Sequence, residues 1–245
     1  MTQNEDWRQQ VYDRYVSSGQ APAAQTGEQL FKSRAPYINW IIENHLPSDK
    51  SVRIVDLGCG HGTYLYFLGK HGYANVSGMD VSREQVEQAH QLGLTNVEQA
   101  DLLPYLEQSP DASIDIFLMI DILEHLDRPT LFRVLNEVYR VLRPEGRLIG
   151  HVPNAAGIFG ARVRYSDITH ELAFTDRSIQ QITRTIGFAN VDVFEEAPLR
   201  YSAKSTIRRL LWDIGTIPFR LLNLAEMGSY HAILSSNLLF NAQKT

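Results

Sequence analysis

The run Val52-Arg-Ile-Val-Asp56-Leu-Gly58-Cys59-Gly60-His61-Gly62 constrains this chain more than any other segment. A short β-branched stretch reaches three glycines spaced two apart, and Thr63 to Gly72 then reads as a helix. A strand that passes through a glycine turn straight into a helix is the first half of a βαβ unit. Glycine permits the sharp turn and a close approach of backbone to ligand. The helix that follows offers unpaired N–H groups to a polar or anionic group. The spacing is GxGxG, not the GxGxxG of dinucleotide-binding folds, and no Gly-Lys-Ser/Thr ending of a phosphate loop follows.

The pattern downstream repeats this unit. NVSGMDVS predicts a second strand and REQVEQAHQLG a helix. NVEQADLL, IDIFLMID and RLIGHVP predict further strands, with LEHLDRP and TLFRVLNEVYRVL between the last two. Strands alternating with helices of about 10–15 residues imply a parallel sheet covered on both faces, an α/β fold. After Pro153 the alternation loosens: DRSIQQITRTIG predicts a helix, VDVFEEAP a strand, and HAILSSNLLFNAQK a final strand pair or one long strand. Upstream, Val11, Tyr12 and Tyr15 share one helical face, and Glu28 to His45 has helical spacing that Pro47 stops. No linker or repeat divides the 245 residues, so one domain is expected. Its parts are an N-terminal helical lid (1–50), a core (51–200), a helical insertion (201–228) and a final strand (229–245).

Composition narrows the function. The formal charge of −5 argues against general nucleic-acid affinity, which rests on neutralising phosphates with Lys and Arg. Cys59 is the only cysteine, which leaves no intramolecular disulfide and no CxxC metal site. No apolar run reaches the 18 or so residues of a spanning helix, and MTQNEDWRQQ does not read as a signal peptide, so a cytoplasmic protein is expected.

Two acids follow the glycine loop. Asp80 ends the second predicted strand about twenty residues on, where a carboxylate can accept both hydroxyls of a ribose. Asp101 ends the third, placed to meet an adenine amino group. Open α/β sheets bind ligands at the carboxyl ends of their strands, where all three features sit. Single strand-end aspartates are commonly helix caps; the three together favour a nucleoside site.

Over residues 50–195 these features resemble the class I S-adenosylmethionine-dependent methyltransferases. The resemblance rests on VDLGCGHGTYL, GMDVS, QADLL, IDIFLMIDILEHL and LNEVYRVLRPEGRLIGHVPN. It implies a Rossmann-like three-layer sandwich, with a seven-stranded, mostly parallel sheet and an antiparallel last strand. It also implies that Asp56, Gly58, Cys59 and Gly60 cradle the methionine part of S-adenosylmethionine. Asp80 with Val81 would hold the ribose and Asp101 with Leu102 the adenine, while Met119 and Ile120 line the pocket. Tyr12 and Tyr15 fall where related enzymes close a lid, or they simply pack a surface helix.

Methyl transfer from a sulfonium needs a positioned acceptor and, for a hydroxyl, a destination for its proton. Asp121, Glu124 and His125 stand close along the start of a predicted helix and, at i, i+3 and i+4, share one face of it. Histidine is the natural base near neutral pH, oriented by Asp121 or Glu124. Alternatively all three bind a divalent metal that lowers the hydroxyl's pKa, or Asp121 caps a helix and Glu124–His125 is a solvated pair. The arrangement is similar to the acid-x-x-Glu-His site of ubiquinone-biosynthesis O-methyltransferases and small-RNA 2′-O-methyltransferases. Those carry Glu first, and Asp121 is one methylene shorter. His170 in THELAFT falls where similar enzymes have another histidine; His61 and His151 are expected to be a loop and a strand-end residue without a chemical role. No Asn/Asp-Pro-Pro-Tyr motif of amide and amino N-methyltransferases is present, which favours oxygen as acceptor.

From Arg200 to Arg220 five basic residues face one acid, Asp213, and Ile207, Leu210, Leu211 and Ile214 recur at helical spacing. A basic amphipathic helix suits a peripheral membrane contact, a lid over an anionic substrate in which Arg208 or Arg209 meets phosphate or carboxylate, or packing of its apolar face onto the sheet domain. The expected function is O-methylation of a small-molecule or glycan-like acceptor with His125 as base. The competing readings are a ubiquinone-type phenol methyltransferase with metal and a non-catalytic nucleoside-binding protein.

Overall fold

Strands β1 (Ile54–Leu57), β2 (Val76–Asp80), β3 (Val97–Gln99), β4 (Ile114–Ile120), β5 (Leu142–Pro153), β6 (Ala189–Glu195) and β7 (Asn237–Gln243) form one sheet in the order β3-β2-β1-β4-β5-β7-β6. The computed structural model describes residues 6–20 and 31–245. β7 runs antiparallel to both β5 and β6, and the remaining pairings are parallel. The expected mostly parallel sheet with an antiparallel last strand is therefore the observed one. β7 enters between β5 and β6, so the chain's last segment completes the sheet from within.

The helices are α1 (Asp6–Tyr12), α2 (Ala35–His45), α3 (Thr63–Lys70), α4 (Arg83–Gln91), α5 (Leu102–Gln108), α6 (Arg128–Val141), α7 (Gly160–Arg164), α8 (Asp176–Ile186), α9 (Ala203–Gly215) and α10 (Ile217–Met227). The central strand β4 shows why they cover both faces. Phe117 and Met119 are buried in one apolar cluster with α6 residues such as Val134 and Val138. Ile116 and Leu118 are buried in another, with Ile38, Ile41 and Ile42 of α2. Alternate side chains of a strand point to opposite faces. A run apolar at every position therefore needs a partner on each side.

Local signals set the boundaries. α2 begins at Ala35 because Pro36 suits the first helical turn; residues 28–30 of the expected longer helix lie outside the described residues. NVEQADLL yields a strand only over Val97–Gln99, since Asp101 already stands at the N-cap of α5. HAILSSNLLFNAQK gives one strand, β7, and Asn154 Nδ2 donates to the Ile233 and Ser235 carbonyls in its lead-in, tying that lead-in to the end of β5. The insertion is a pair of helices hinged at Thr216, with Pro218 in the first turn of α10. Its apolar face does not pack onto the sheet: Leu210 and Leu211 are 56% and 66% exposed. Among the described residues no helix is long and apolar enough to cross a membrane.

Candidate active site

The glycine loop leaves β1 with φ of +71°, +55° and +82° at Gly58, Gly60 and Gly62. Its first two amides are committed to the sheet, Gly58 and Cys59 N–H donating to the Met79 carbonyl at 2.8 and 2.9 Å. Gly60 N–H instead donates to Asp80 Oδ2, and Ser82 N–H to Asp80 Oδ1, both at 2.8 Å. The Asp80 carboxylate thus sits fixed at the mouth of the loop, its pKa raised by burial. A Cβ at Gly58 would strike Ile122 at 2.0 Å and one at Gly62 Leu94 at 2.3 Å, whereas at Gly60 the nearest atom is Gln85 Oε1 at 3.6 Å. The room left beside Gly60 fits a ligand passing along the loop. Asp56 is buried beneath it, and burial with the nearby Asp80 charge pushes its pKa up to about 8. Asp101 is exposed and makes no side-chain capping bond, which leaves its carboxylate available. Two expected contacts look inward instead. The Cys59 thiol packs on Gly78 and Leu65, and Met119 is fully buried in the core. Strand alternation turns Met119 inward and leaves its neighbour Ile120 on a cavity wall.

The N-terminal segment lies across this cleft. Val16 and Ser17 N–H donate to Glu84 Oε2 at 2.9 and 3.1 Å, Arg8 pairs with Glu171, and the Tyr15 hydroxyl donates to Asp167 Oδ2 at 2.7 Å. The Tyr12 ring lies 6.5 Å from that of His125. Both tyrosines are partly buried, which raises their pKa values, and their contacts with His125 and Asp167 place them against the site.

His125 stands in a short 3-10 turn, Leu123–His125, because Asp127 caps α6 and helix starts only at Arg128. The expected single helical face at 121, 124 and 125 is therefore broken. Thr169 Oγ1 donates to Asp167 Oδ1 at 2.6 Å, so at 2.8 Å it accepts from His125 Nδ1–H. That tautomer leaves Nε2 with its lone pair. Burial and then the His170 ring lower the His125 pKa to about 4, so it is neutral at neutral pH but a weaker base than an ordinary histidine. His170 Nδ1 faces the Val163 carbonyl at 3.2 Å, and its Nε2 lies 4.0 Å from Glu124 Oε1. Glu124 is 1% exposed, not a solvated pair member; burial and then Asp121 raise its pKa, and its Oε2 has no partner. One ligand atom each from Glu124, His125 and His170 falls within 4.8 Å of the others.

Asp121 belongs elsewhere. Its backbone is left-handed, φ +57°, with its N–H on the His151 carbonyl. Its Oδ1 accepts from His151 Nδ1 at 2.5 Å, while His151 Nε2 donates to Glu196 Oε2 at 2.9 Å. An imidazole that donates from both nitrogens is an imidazolium. Burial alone would lower the His151 pKa, but the two carboxylates hold it well above the ordinary value. In return, against the upward push of burial, His151 holds Asp121 low. His151, expected to have no chemical role, is thus a charged element of the site; its place at the end of β5 was the signal. This triad walls a cavity of about 360 Å³ with Tyr37, Arg34 and Arg208. Tyr37 Oη and Asn237 Oδ1 are buried there without partners. Arg208 reaches the cavity, whereas Arg209 is taken by Asp213 at 2.7 Å.

The sheet order and its flanking helices are those of solved S-adenosylmethionine-dependent methyltransferases, a Rossmann-like fold. Residues 54–146 match the methyltransferase domain family. The 27-O-demethylrifamycin SV methyltransferase of Amycolatopsis mediterranei is 32% identical over 122 residues, 46% of this chain and 44% of that protein. EEF1A lysine methyltransferase 2 of Mus musculus is 33% identical over 93 residues, 36% and 37% of the two chains. The chain therefore spans less than half the length of these relatives. A SAM-dependent methyltransferase from Archaeoglobus fulgidus superposes with a TM-score of 0.66 at 20% identity, over 94% of this chain and 99% of that one.

Proposed function

We propose that this protein transfers the methyl group of S-adenosylmethionine to a hydroxyl of a small-molecule or glycan-like acceptor, leaving S-adenosylhomocysteine. The observation that carries this reading is the cavity of about 360 Å³ at the carboxyl ends of β4 and β5, lined by Ile120, Asp121 and His151 and by Tyr64 of the helix that follows the glycine loop. That size suits one ring system, since ligand pockets begin near 300 Å³. The cofactor, when bound, supplies an electrophilic methyl on a sulfonium. Asp80, Asp101 and the space beside Gly60 would hold it, with Asp56, Val81 and Leu102 alongside. His125 takes the acceptor's proton on its free Nε2, with its ring oriented by Thr169 and Asp167 in place of the expected Asp121. Asp121 and His151 instead position the acceptor from the cavity wall. The A. mediterranei relative's name specifies an oxygen acceptor, which agrees with this choice.

Calorimetric titration of S-adenosylmethionine and S-adenosylhomocysteine into wild type and Asp80→Ala tests the first half. Wild-type binding in the micromolar range, weakened at least tenfold or so by loss of the carboxylate, is expected. A screen of sugars and phenols with His125→Ala as control tests the second. Failure to bind either ligand overturns the reading; binding without transfer to any acceptor favours a nucleoside-binding role.

A second reading, a divalent cation at Glu124, His125 and His170, is favoured by a buried Glu124 carboxylate with one orphaned oxygen beside two histidines whose Nδ1 atoms are each hydrogen-bonded to oxygen. The set differs from the expected one because Asp121 is engaged by His151. Such a cation would lower the acceptor hydroxyl's pKa, as in a phenol methyltransferase. Turnover abolished by chelator and by His170→Ala, with cofactor affinity unchanged, would support this reading over a metal-free base.

A further inference from the structure

The α9–α10 pair is built inside out. On α9 the small polar Ser205 is buried at 4% and Thr216 at its end at 2%, while Ile207, Leu210, Leu211 and Ile214 are 56–66% exposed. α10 has no buried residue at all, and Leu221 and Leu222 are 53% and 67% exposed. Folding normally places the apolar stripe of a helix inward. A monomer seldom leaves a contiguous apolar surface of more than a few hundred Å² in water. The pair is nonetheless firmly attached by its polar side. Arg220 bonds Glu195 and the Ala232 carbonyl, and the Ser202–Ser205 capping box fixes the start of α9. The exposed stripe is therefore a surface held outward by polar anchors.

Charge selects among possible partners. Residues 200–227 carry five basic side chains against Asp213 and Glu226, an excess of three positive charges in a chain of net −5. Arg200 and Arg209 share Asp213, and Arg220 is matched by Glu195. Lys204 and Arg208 have no acidic partner within ion-pair distance among the described residues. At 100° per residue they flank the stripe of Ile207 and Leu211 on one side. A second copy of the same face would bring these cations toward their own copies, whereas an anionic bilayer complements them. We propose that α9 and α10 lie in the interface of an anionic membrane, with the apolar stripe among the acyl chains and Lys204 and Arg208 at the headgroups. Because Tyr201, Ser205 and Arg208 also wall the cavity, docking would set its mouth at the lipid surface.

Sedimentation of the full chain with vesicles tests this without any acceptor or turnover, so it stands apart from the methyl-transfer reading. Vesicles of phosphatidylglycerol and phosphatidylcholine in equal parts should carry the protein down, and pure phosphatidylcholine vesicles far less. Lys204→Glu should weaken the anionic partition at least about fivefold, and raising salt to about 1 M should weaken wild type similarly. Leu210→Asp with Leu221→Asp should abolish binding. These side chains are exposed, so an unchanged melting temperature shows that the fold persists. No recovery with anionic vesicles would overturn the proposal. So would a concentration-dependent dimer in sedimentation velocity that the Leu210→Asp/Leu221→Asp variant converts to monomer.

Discussion

Gly58, Gly60 and Gly62 share positive φ but differ in what surrounds them. Gly58→Ala must displace Ile122 as well as strain the backbone, and is expected to destabilise by about 1–3 kcal/mol. Gly60→Ala has only the left-handed strain, about 1–2 kcal/mol, yet its methyl enters the space assigned to the cofactor. Thermal melts and calorimetry on both separate the roles: Gly60→Ala should lose far more cofactor affinity than its melting temperature suggests. At the other end of the site, Asp121→Asn removes one carboxylate from His151 while keeping a residue that tolerates left-handed backbone. The His151 pKa should fall, seen as loss of the doubly protonated imidazolium signature in nitrogen NMR at neutral pH. Of these residues, the placement of the glycines in a turn and of Asp80 at the end of the next strand was legible, because a turn motif and strand periodicity set both. The His151–Glu196 and His125–Thr169 pairings were not, since their members lie 45 and 44 positions apart.

At the scale of elements, the strand–helix alternation was legible because central strands such as β4 are apolar on both faces and helices such as α6 on one. Boundaries followed where a local signal existed, such as the Thr175–Ser178 capping box that opens α8. The pattern failed where helical spacing did not mean helix: Asp121, Glu124 and His125 sit at i, i+3 and i+4, yet the α6 cap at Asp127 confines the turn before it to three 3-10 residues. It failed again in the insertion, whose amphipathic stripe reads the same whether it faces core or solvent. The N-terminal segment is tied down by few bonds, chiefly those from Val16 and Ser17 to Glu84 and from Tyr15 to Asp167. Glu84→Ala should loosen it, raising the cofactor's dissociation rate about fivefold for a loss near 1 kcal/mol. Stopped-flow fluorescence would read this, with amide exchange rising over residues 6–20 only.

For the whole molecule, the buried titrating groups predict how stability and turnover depend on pH. Asp56, held up to about 8 by burial, keeps its proton in the folded protein where the unfolded chain has lost it. Its contribution is whole below the ordinary value of 3.8 and drains away as pH rises toward about 8. His125, lowered to about 4, has the opposite sign: its contribution is whole above 6.5 and is lost as pH falls toward 4. Asp56→Asn should therefore raise the melting temperature of the ligand-free protein relative to wild type more at pH near 8 than near 5, in differential scanning fluorimetry. If His125 is the base, turnover should be flat across roughly pH 6–8 and decline as the pH approaches its value near 4.

What the sequence determined by itself is the α/β order, the glycine turn and the acids at the ends of the next two strands, because these depend on local turn residues or on the periodicity of apolar side chains. Only the tertiary structure decided that β7 runs back between β5 and β6 and that His151 is clamped between Asp121 and Glu196. It also decided that the insertion turns its apolar stripe outward. Each of these depends on which distant surfaces meet, and a one-dimensional pattern of hydrophobicity and charge is the same for every such meeting.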